Sequence, residues 1–398
     1  MTLFSPSRGF ARLSGTPAHR YTPSGRPRAR ALGIPFDGTP GTANAITDVP
    51  GVQVGTVTLI EGESVRTGVT AILPRGRDGV GVPVAAGHYS LNGNGELTGS
   101  HWIEESGQFH TPLLITNTHA VGAAHRGAID WMVAGRPELR TGWLLPVVGE
   151  TYDGYLNDIT ASPVRPEHAV AAIEEAEGGA VEEGSVGGGT GMNCYGYKGG
   201  NGTASRLVPY GDDHFTVAAF VQANFGARHE LTVAGRPVGR HLLADNPMQD
   251  SREANSAVFA PPGGAGSIIV AIATDAPLLP HQCKALARRV PLGLARTGTT
   301  GSHFSGDLFL AFSTANEGAF ASSFGSGESY DTTHSLPAGR INPCYDAVVQ
   351  SVEEAVLNAL VANEEMTGRE GHRSPALPHG ELVRLLREQG VRTARLPQ

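Results

Sequence analysis

The sequence predicts a layered α/β fold, and two observations carry that expectation. Short apolar, β-branched runs alternate along the chain with stretches of helical period. The connections between them are dense in turn formers, with 54 glycines and 27 prolines among 398 residues, a content that suits tight turns and close backbone approach. The length suits two average domains or one large layered one. Hydrophobic residues make up 40% and charged residues 17%, so a packed core is feasible and disorder is not the default. A net charge of −8 argues against nucleic acid as the main partner. The three cysteines, Cys194, Cys283 and Cys344, are too few and too odd for a disulfide framework. No apolar run reaches the roughly 18 residues of a membrane span.

Residues 1–30 stand apart. They carry Arg8, Arg12, Arg20, Arg26, Arg28 and Arg30 and no acidic residue. The stretch lacks the apolar core of roughly 7–15 residues that a secretory signal needs. A disordered basic leader or an upstream start codon is therefore expected, with order from about Ala31. A cytoplasmic location is expected, and the periplasm is left open. After the Pro50-Gly51 turn, alternation up to Ile60 reads as a strand. Gly68–Pro74 reads as a second strand in a possible hairpin, and Val82–His88 as a third. Two Asn-Gly steps mark Leu91–Gly99 as a loop. Strands are expected at Pro112–Asn117 and Trp143–Glu150, and helices at Ala120–Ala134 and Pro166–Glu177.

The glycine-rich stretch from Val186 to Arg206 lacks both the Gly-Lys-Ser/Thr ending of a P-loop and the Gly-x-Gly-x-x-Gly spacing of a dinucleotide fold. Tight packing beside a site is the expected role. Phe215–Gln222 reads as a strand with Ala223-Asn224 at its end. Next, a Pro-Gly segment, Ala260–Gly266, runs straight into the β-prone run Ile268–Ala273. Ser267 sits at that seam. If the Gly266–Ser267 bond breaks, Ser267 carries a hydroxyl and a free α-amine. That amine has a reference pKa of roughly 7.7–8.0, so it could activate its own hydroxyl near neutral pH. A linker followed by an ordinary strand is the plainer reading of the same residues.

A helix is expected from Pro280 towards Val290, with Leu286 and Val290 on one face. A polar glycine loop then meets the strand that starts near Leu308. Ser305 and Asp307 sit at its mouth, and i, i+2 spacing puts them on one face if the strand begins that early. Such a hydroxyl and carboxylate could orient the Ser267 amine; a Ser-Gly-Asp turn would look the same. Asn342 is expected to cap a helix running to about Asn363, with Pro343 in its first turn. A last short helix spans about Gly380–Gln389.

Taken together, the Gly266-Ser267 junction, Ser305-Gly306-Asp307, Gln222-Ala223-Asn224 and Gly149-Glu150-Thr151-Tyr152-Asp153-Gly154 form a constellation. Leu91-Asn92-Gly93-Asn94-Gly95-Glu96 and Trp102–Gly107 precede it. The combination resembles the self-processing serine aminopeptidases that include the L-aminopeptidase D-amidase/D-esterases and the β-peptidyl aminopeptidases. The resemblance covers about residue 30 to the C-terminus. It implies an αββα four-layer sandwich like that of N-terminal nucleophile hydrolases, and a precursor that cuts itself between Gly266 and Ser267. The 31–266 and 267–398 parts would remain one catalytic domain, and the processed heterodimers would assemble into a homo-oligomer. By the same resemblance Ser267 is the nucleophile, Ser305 and Asp307 its supporting pair, and Asn224 the oxyanion amide. Glu150 holds the substrate's free amine, and Tyr152 is the active-site tyrosine with Tyr155 as a possible substitute. The implied substrate is a small peptide or an amino-acid amide or ester.

No cofactor, metal or membrane partner is expected. His119 and His125 lack the i, i+4 spacing of one helical face, and no His-Glu-x-x-His motif occurs. Cys283 is expected to be a packing residue. Two alternatives remain: an acyltransferase of the ornithine acetyltransferase type, whose nucleophile is threonine rather than serine, and a non-catalytic binding protein on the same fold.

Overall fold

A computed structural model describes residues 17–250, 266–320 and 330–393. In chain order, the first half holds β1 (Gln53–Glu61), β2 (Val65–Leu73), β3 (Val84–Gly93), α1 (Ser100–Ser106), β4 (Gln108–Phe109), β5 (Leu113–Asn117) and α2 (Val121–Gly135). It continues with β6 (Val147–Thr151), α3 (Pro166–Glu174), β7 (Gly200–Tyr210) and β8 (Asp213–Asn224). Beyond Gly266 come β9 (Ser267–Thr274), α4 (Pro280–Ala287), α5 (Val290–Arg296), β10 (Gly306–Ser313), α6 (Asn342–Val361) and α7 (His379–Glu388).

The strands form two principal sheets, one ordered β1-β2-β5-β6 and the other β4-β3-β10-β9-β8-β7. Side chains alternate across each strand, and here both faces are apolar. In β9, Ile269 and Ala271 face Leu113, Ile115 and Val147 of the small sheet. Ile268, Val270 and Ile272 face the other way, onto Leu286, Val290, Val348, Val352 and Ala355 of α4, α5 and α6. On the far side of the small sheet, Val69, Ala71 and Leu114 pack on Ala124, Ala128 and Met132 of α2 and on Ala172 and Ile173 of α3. The layer order is helix–sheet–sheet–helix, as expected. Each large aliphatic buried this way contributes about 1.5–3 kcal/mol, which explains why β9 reads as a continuous apolar run rather than an alternating one.

Strands β9 and β10, both C-terminal to Gly266, lie at the centre of the large sheet between β3 and β8. The two parts of the chain therefore share one hydrogen-bonded ladder and one core.

Several expectations change. Order begins before Ala31: Arg28 is buried, pairs with Glu183 at 2.6 Å and donates to the Thr203 carbonyl. Arg30 pairs with Glu354 at 2.6 Å. These arginines read as a solvated leader because their partners lie far away in sequence. The glycine-rich stretch runs into the eleven-residue strand β7 (Gly200–Tyr210), whose packing on α6 no local pattern announces. Asn342 is the first helical residue of α6 rather than its cap, and Ile341 stands before it with no side-chain cap. The expected helix after Pro280 ends at Ala287, and α5 follows as a separate turn. The Ala260–Ala265 part of the glycine loop lies outside the described residues.

Candidate active site

Strand register assembles the site. Asn224, the last residue of β8, pairs with Ser267, the first of β9, in antiparallel register. On its other side Ser267 pairs with Gly306 in parallel register, so Ser305 and Asp307 flank that position. From the facing sheet, the end of β6 reaches across. A Cβ on Gly149 would come within 3.1 Å of the Ile269 side chain, so glycine there lets the two sheets approach closely. That approach brings the Tyr152 N–H to 3.1 Å from Ser267 Oγ.

Two donors therefore converge on the Ser267 hydroxyl: the Tyr152 N–H, and Asn224 Nδ2 at 3.4 Å. The Asn224 carboxamide is held at both ends. Its Oδ1 accepts from the Asn193 N–H at 2.9 Å, and its Nδ2 donates to the Tyr152 carbonyl at 2.9 Å. Fixed donors at such a point stabilise negative charge that develops beside the hydroxyl, without reorganisation at the moment of reaction.

Ser305 Oγ donates to Asp307 Oδ1 at 2.6 Å, so the two share a face although Ser305 stands just outside β10. Asn92 Nδ2 donates to Asp307 Oδ2 at 2.9 Å and to the Ser302 carbonyl. Burial pushes the Asp307 carboxyl up from its ordinary value, and the bonds from Ser305 and Asn92 oppose that shift.

Glu150 is 3% exposed. Its Oε1 accepts from the Glu96 N–H at 2.9 Å, and its Oε2 accepts from the Thr118 hydroxyl. Burial raises its pKa, opposed by those two bonds. A Cβ at Gly95 would lie 3.1 Å from Glu150 Oε1 and 3.2 Å from Gly306 Cα, so glycine there leaves space between the carboxylate and β10. Among the described residues, His119 contributes a minor opposing effect on that carboxylate. A buried acid in this setting is well matched to an ammonium supplied from outside.

Tyr152 contributes its backbone to the site while its side chain is half exposed. Tyr155, the possible substitute, donates its hydroxyl to the Arg373 carbonyl and stacks on His372 at 4.7 Å. The sequence reading assigns no role to Asn92, Thr118 or Asn193. Asn92 lies in a loop where Asn-Gly reads as turn chemistry, and a threonine or a backbone N–H carries no local signal of its distant acceptor. Among the described residues no His/Cys/Asp/Glu group has the arrangement of a metal site.

The fold is that of a hydrolase of the serine aminopeptidase class on an N-terminal nucleophile scaffold. Residues 44–374 match the family described as peptidase family S58, and the chain belongs to it. It is 48% identical over 373 residues to a beta-peptidyl aminopeptidase, BapA, of Sphingosinicella microcystinivorans, covering 91% of this chain and 92% of that one. It is 43% identical over 370 residues to the BapA of Sphingosinicella xenopeptidilytica, with 91% of each chain covered. Among solved structures it is similar to the L-aminopeptidase D-Ala-esterase/amidase of Ochrobactrum anthropi, described as a prototype of the serine aminopeptidases and a variant of the Ntn hydrolase fold. There the identity is 46% and the TM-score 0.84, over 92% of this chain and 99% of that one. A Burkholderia sp. beta-aminopeptidase matches with 46% identity, a TM-score of 0.82 and the same coverage.

Proposed function

We propose that the chain cleaves itself between Gly266 and Ser267 and then removes N-terminal residues from small peptides, amides or esters through an acyl-enzyme on Ser267. The observation that supports this best is the convergence of Asn224 Nδ2 and the Tyr152 N–H on Ser267 Oγ at the head of a central strand. In self-cleavage, Ser267 Oγ attacks the Gly266 carbonyl carbon and the acyl group moves from nitrogen to oxygen. The Gly306 N–H donates to that carbonyl oxygen at 3.0 Å, which favours charge building on it. Water then hydrolyses the ester and leaves Ser267 with a free α-amine.

In turnover, that amine takes the proton from Ser267 Oγ as it attacks the substrate's first carbonyl, and returns it to the leaving amine. Asn224 and the Tyr152 N–H stabilise the oxyanion. The Ser305–Asp307 pair, held by Asn92, orients the nucleophile's amine. Glu150 binds the substrate's ammonium, so a free N-terminus is required. The names of the relatives favour β-residues at that N-terminus as well as α-residues. Exposed Trp143 and Leu145 favour assembly of the processed heterodimers into a homo-oligomer, since clustered exposed apolar side chains mark contact surfaces. Among the described residues no helix is long and apolar enough to cross a membrane.

The test is release of p-nitroaniline from β-alanyl and L-alanyl p-nitroanilides by the purified protein, beside the same substrates acylated at nitrogen. Turnover of the free-amine substrates alone, absent in Ser267→Ala, is expected. Equal turnover by Ser267→Ala would remove the proposed nucleophile.

A further inference from the structure

Lys198 is fully buried, which is rare for lysine unless its ammonium is matched. Its Nζ donates to the Met192 carbonyl at 2.6 Å and to the Gly199 carbonyl at 2.8 Å. The Met192 carbonyl also accepts from the Gly199 N–H. That carbonyl belongs to the same peptide unit as the Asn193 N–H, and the Asn193 N–H donates to Asn224 Oδ1 at 2.9 Å. The far end of the Asn224 carboxamide, Nδ2, points at Ser267 Oγ and the Tyr152 carbonyl. An unbroken series of donors thus runs from the ammonium through one peptide and one side-chain amide to the hydroxyl of Ser267. Each acceptor along it is polarised in the direction that makes the next N–H a stronger donor, and hydrogen bonds in such chains reinforce one another.

We infer that Lys198 is a positioning residue for the oxyanion amide: its ammonium fixes and polarises the Met192–Asn193 peptide, and through it the Asn224 carboxamide that faces Ser267. The inference rests on the reading of Ser267 as nucleophile and Asn224 as oxyanion donor. Among the described residues, two ionisable groups act on the Lys198 ammonium, Asp153 and Cys194. Burial keeps the Cys194 thiol protonated. Asp153 is the residue after Tyr152; its Oδ1 accepts from Asn157 Nδ2 at 3.0 Å, and Thr67 and Asn117 also lie against its carboxyl. It is the buried counter-charge. Burial pushes the Asp153 carboxyl up to about 7 and the Lys198 ammonium down to about 7, with Asp153 opposing the latter. Raising the pH above neutral therefore weakens the donor at the head of the series.

The test compares Lys198→Met and Lys198→Gln with the parent protein, each in the native and the Asn224→Ala background, on a free-amine p-nitroanilide. The expected result is a kcat lower by about 10-fold, the scale of one charge-assisted hydrogen bond, with KM within about two-fold. In the Asn224→Ala background the lysine substitution should cost nothing more. An unchanged kcat, or a loss that multiplies on top of Asn224→Ala, overturns the inference.

If the lysine variants fail to fold or to cleave, the wild-type protein labelled with 15N-asparagine supplies the readout. As pH rises from about 6 to 9, the Asn193 amide proton should move upfield with the Asn224 side-chain protons. Asn157 reports Asp153 separately. Resonances of Asn193 and Asn224 that stay fixed would overturn the inference by that route too. Failure of the underlying reading looks different: Ser267→Ala or Asn224→Ala would then turn over normally.

Discussion

Replacing Glu150 by glutamine isolates the charge that is proposed to select a free N-terminus. The change is nearly isosteric, and the neighbours accommodate it. Oε1 keeps the Glu96 N–H, and the Thr118 hydroxyl, which now donates to Oε2, rotates to accept from the new amide. The fold should therefore survive, and the loss falls on the substrate ammonium. A hydrogen bond to a charged group is worth about 1.5–3 kcal/mol, and Glu150 is buried enough for solvent not to screen it. The expected result is a kcat/KM lower by about 10- to 150-fold on alanyl p-nitroanilide. The des-amino analogue, propionyl p-nitroanilide, should change little or improve. The pH dependence follows with a definite sign. Burial raises the Glu150 pKa, so the carboxylate is lost, as pH falls, earlier than an exposed glutamate would be. Glu150 should add its own component to the acidic fall of kcat/KM, above the ordinary glutamate value and beside the component from the Ser267 amine, and Glu150→Gln should remove the Glu150 component alone. Equal losses on both substrates, or an acidic limb untouched by the substitution, would refute the role.

Other substitutions probe the scaffold. Gly266→Ala should slow or block chain cleavage on a gel time course, because a Cβ there would lie 2.0 Å from the Asn224 backbone carbonyl. Phe312→Ala should lower stability by about 3–5 kcal/mol in urea titration, since the ring is fully buried and stacks edge-on against Phe109 at 5.8 Å. Asn92→Ala should reduce kcat with KM nearly unchanged, because it frees one oxygen of Asp307 without touching the Glu150 carboxylate. All three cysteines are buried, and burial pushes the Cys283 and Cys344 thiols up to about 12 and about 11. The native protein should therefore resist iodoacetamide at neutral pH and react once unfolded.

The sequence makes the strands around the site legible because burial on both faces leaves an unmistakable apolar run, as in Ile268–Ala273, bounded by glycine loops. The alternation of those runs with helical stretches suffices for an α/β class. The order β4-β3-β10-β9-β8-β7 has no such local signature, since it depends on pairings between residues as distant as Gly93 and Gly306. The same limit explains the residues that were missed. Arg28 looks like leader charge until Glu183 is placed against it, and β7 looks like a glycine loop until Gly202 is seen under the backbone of α6, where a Cβ would meet the Ala355 carbonyl. Ser305 and Asp307 are readable as a pair because their spacing is short. Asn224 and Ser267 are neighbours only through the ladder between β8 and β9.

The central claim is that this chain makes its own nucleophile, and the intact mass of the purified protein tests it most directly. Cleavage between Gly266 and Ser267 predicts two fragments near two thirds and one third of 41.4 kDa, the smaller beginning at Ser267, and a single full-length mass for Ser267→Ala. One uncut chain in the native protein after prolonged incubation, or the same two fragments from Ser267→Ala, would contradict it.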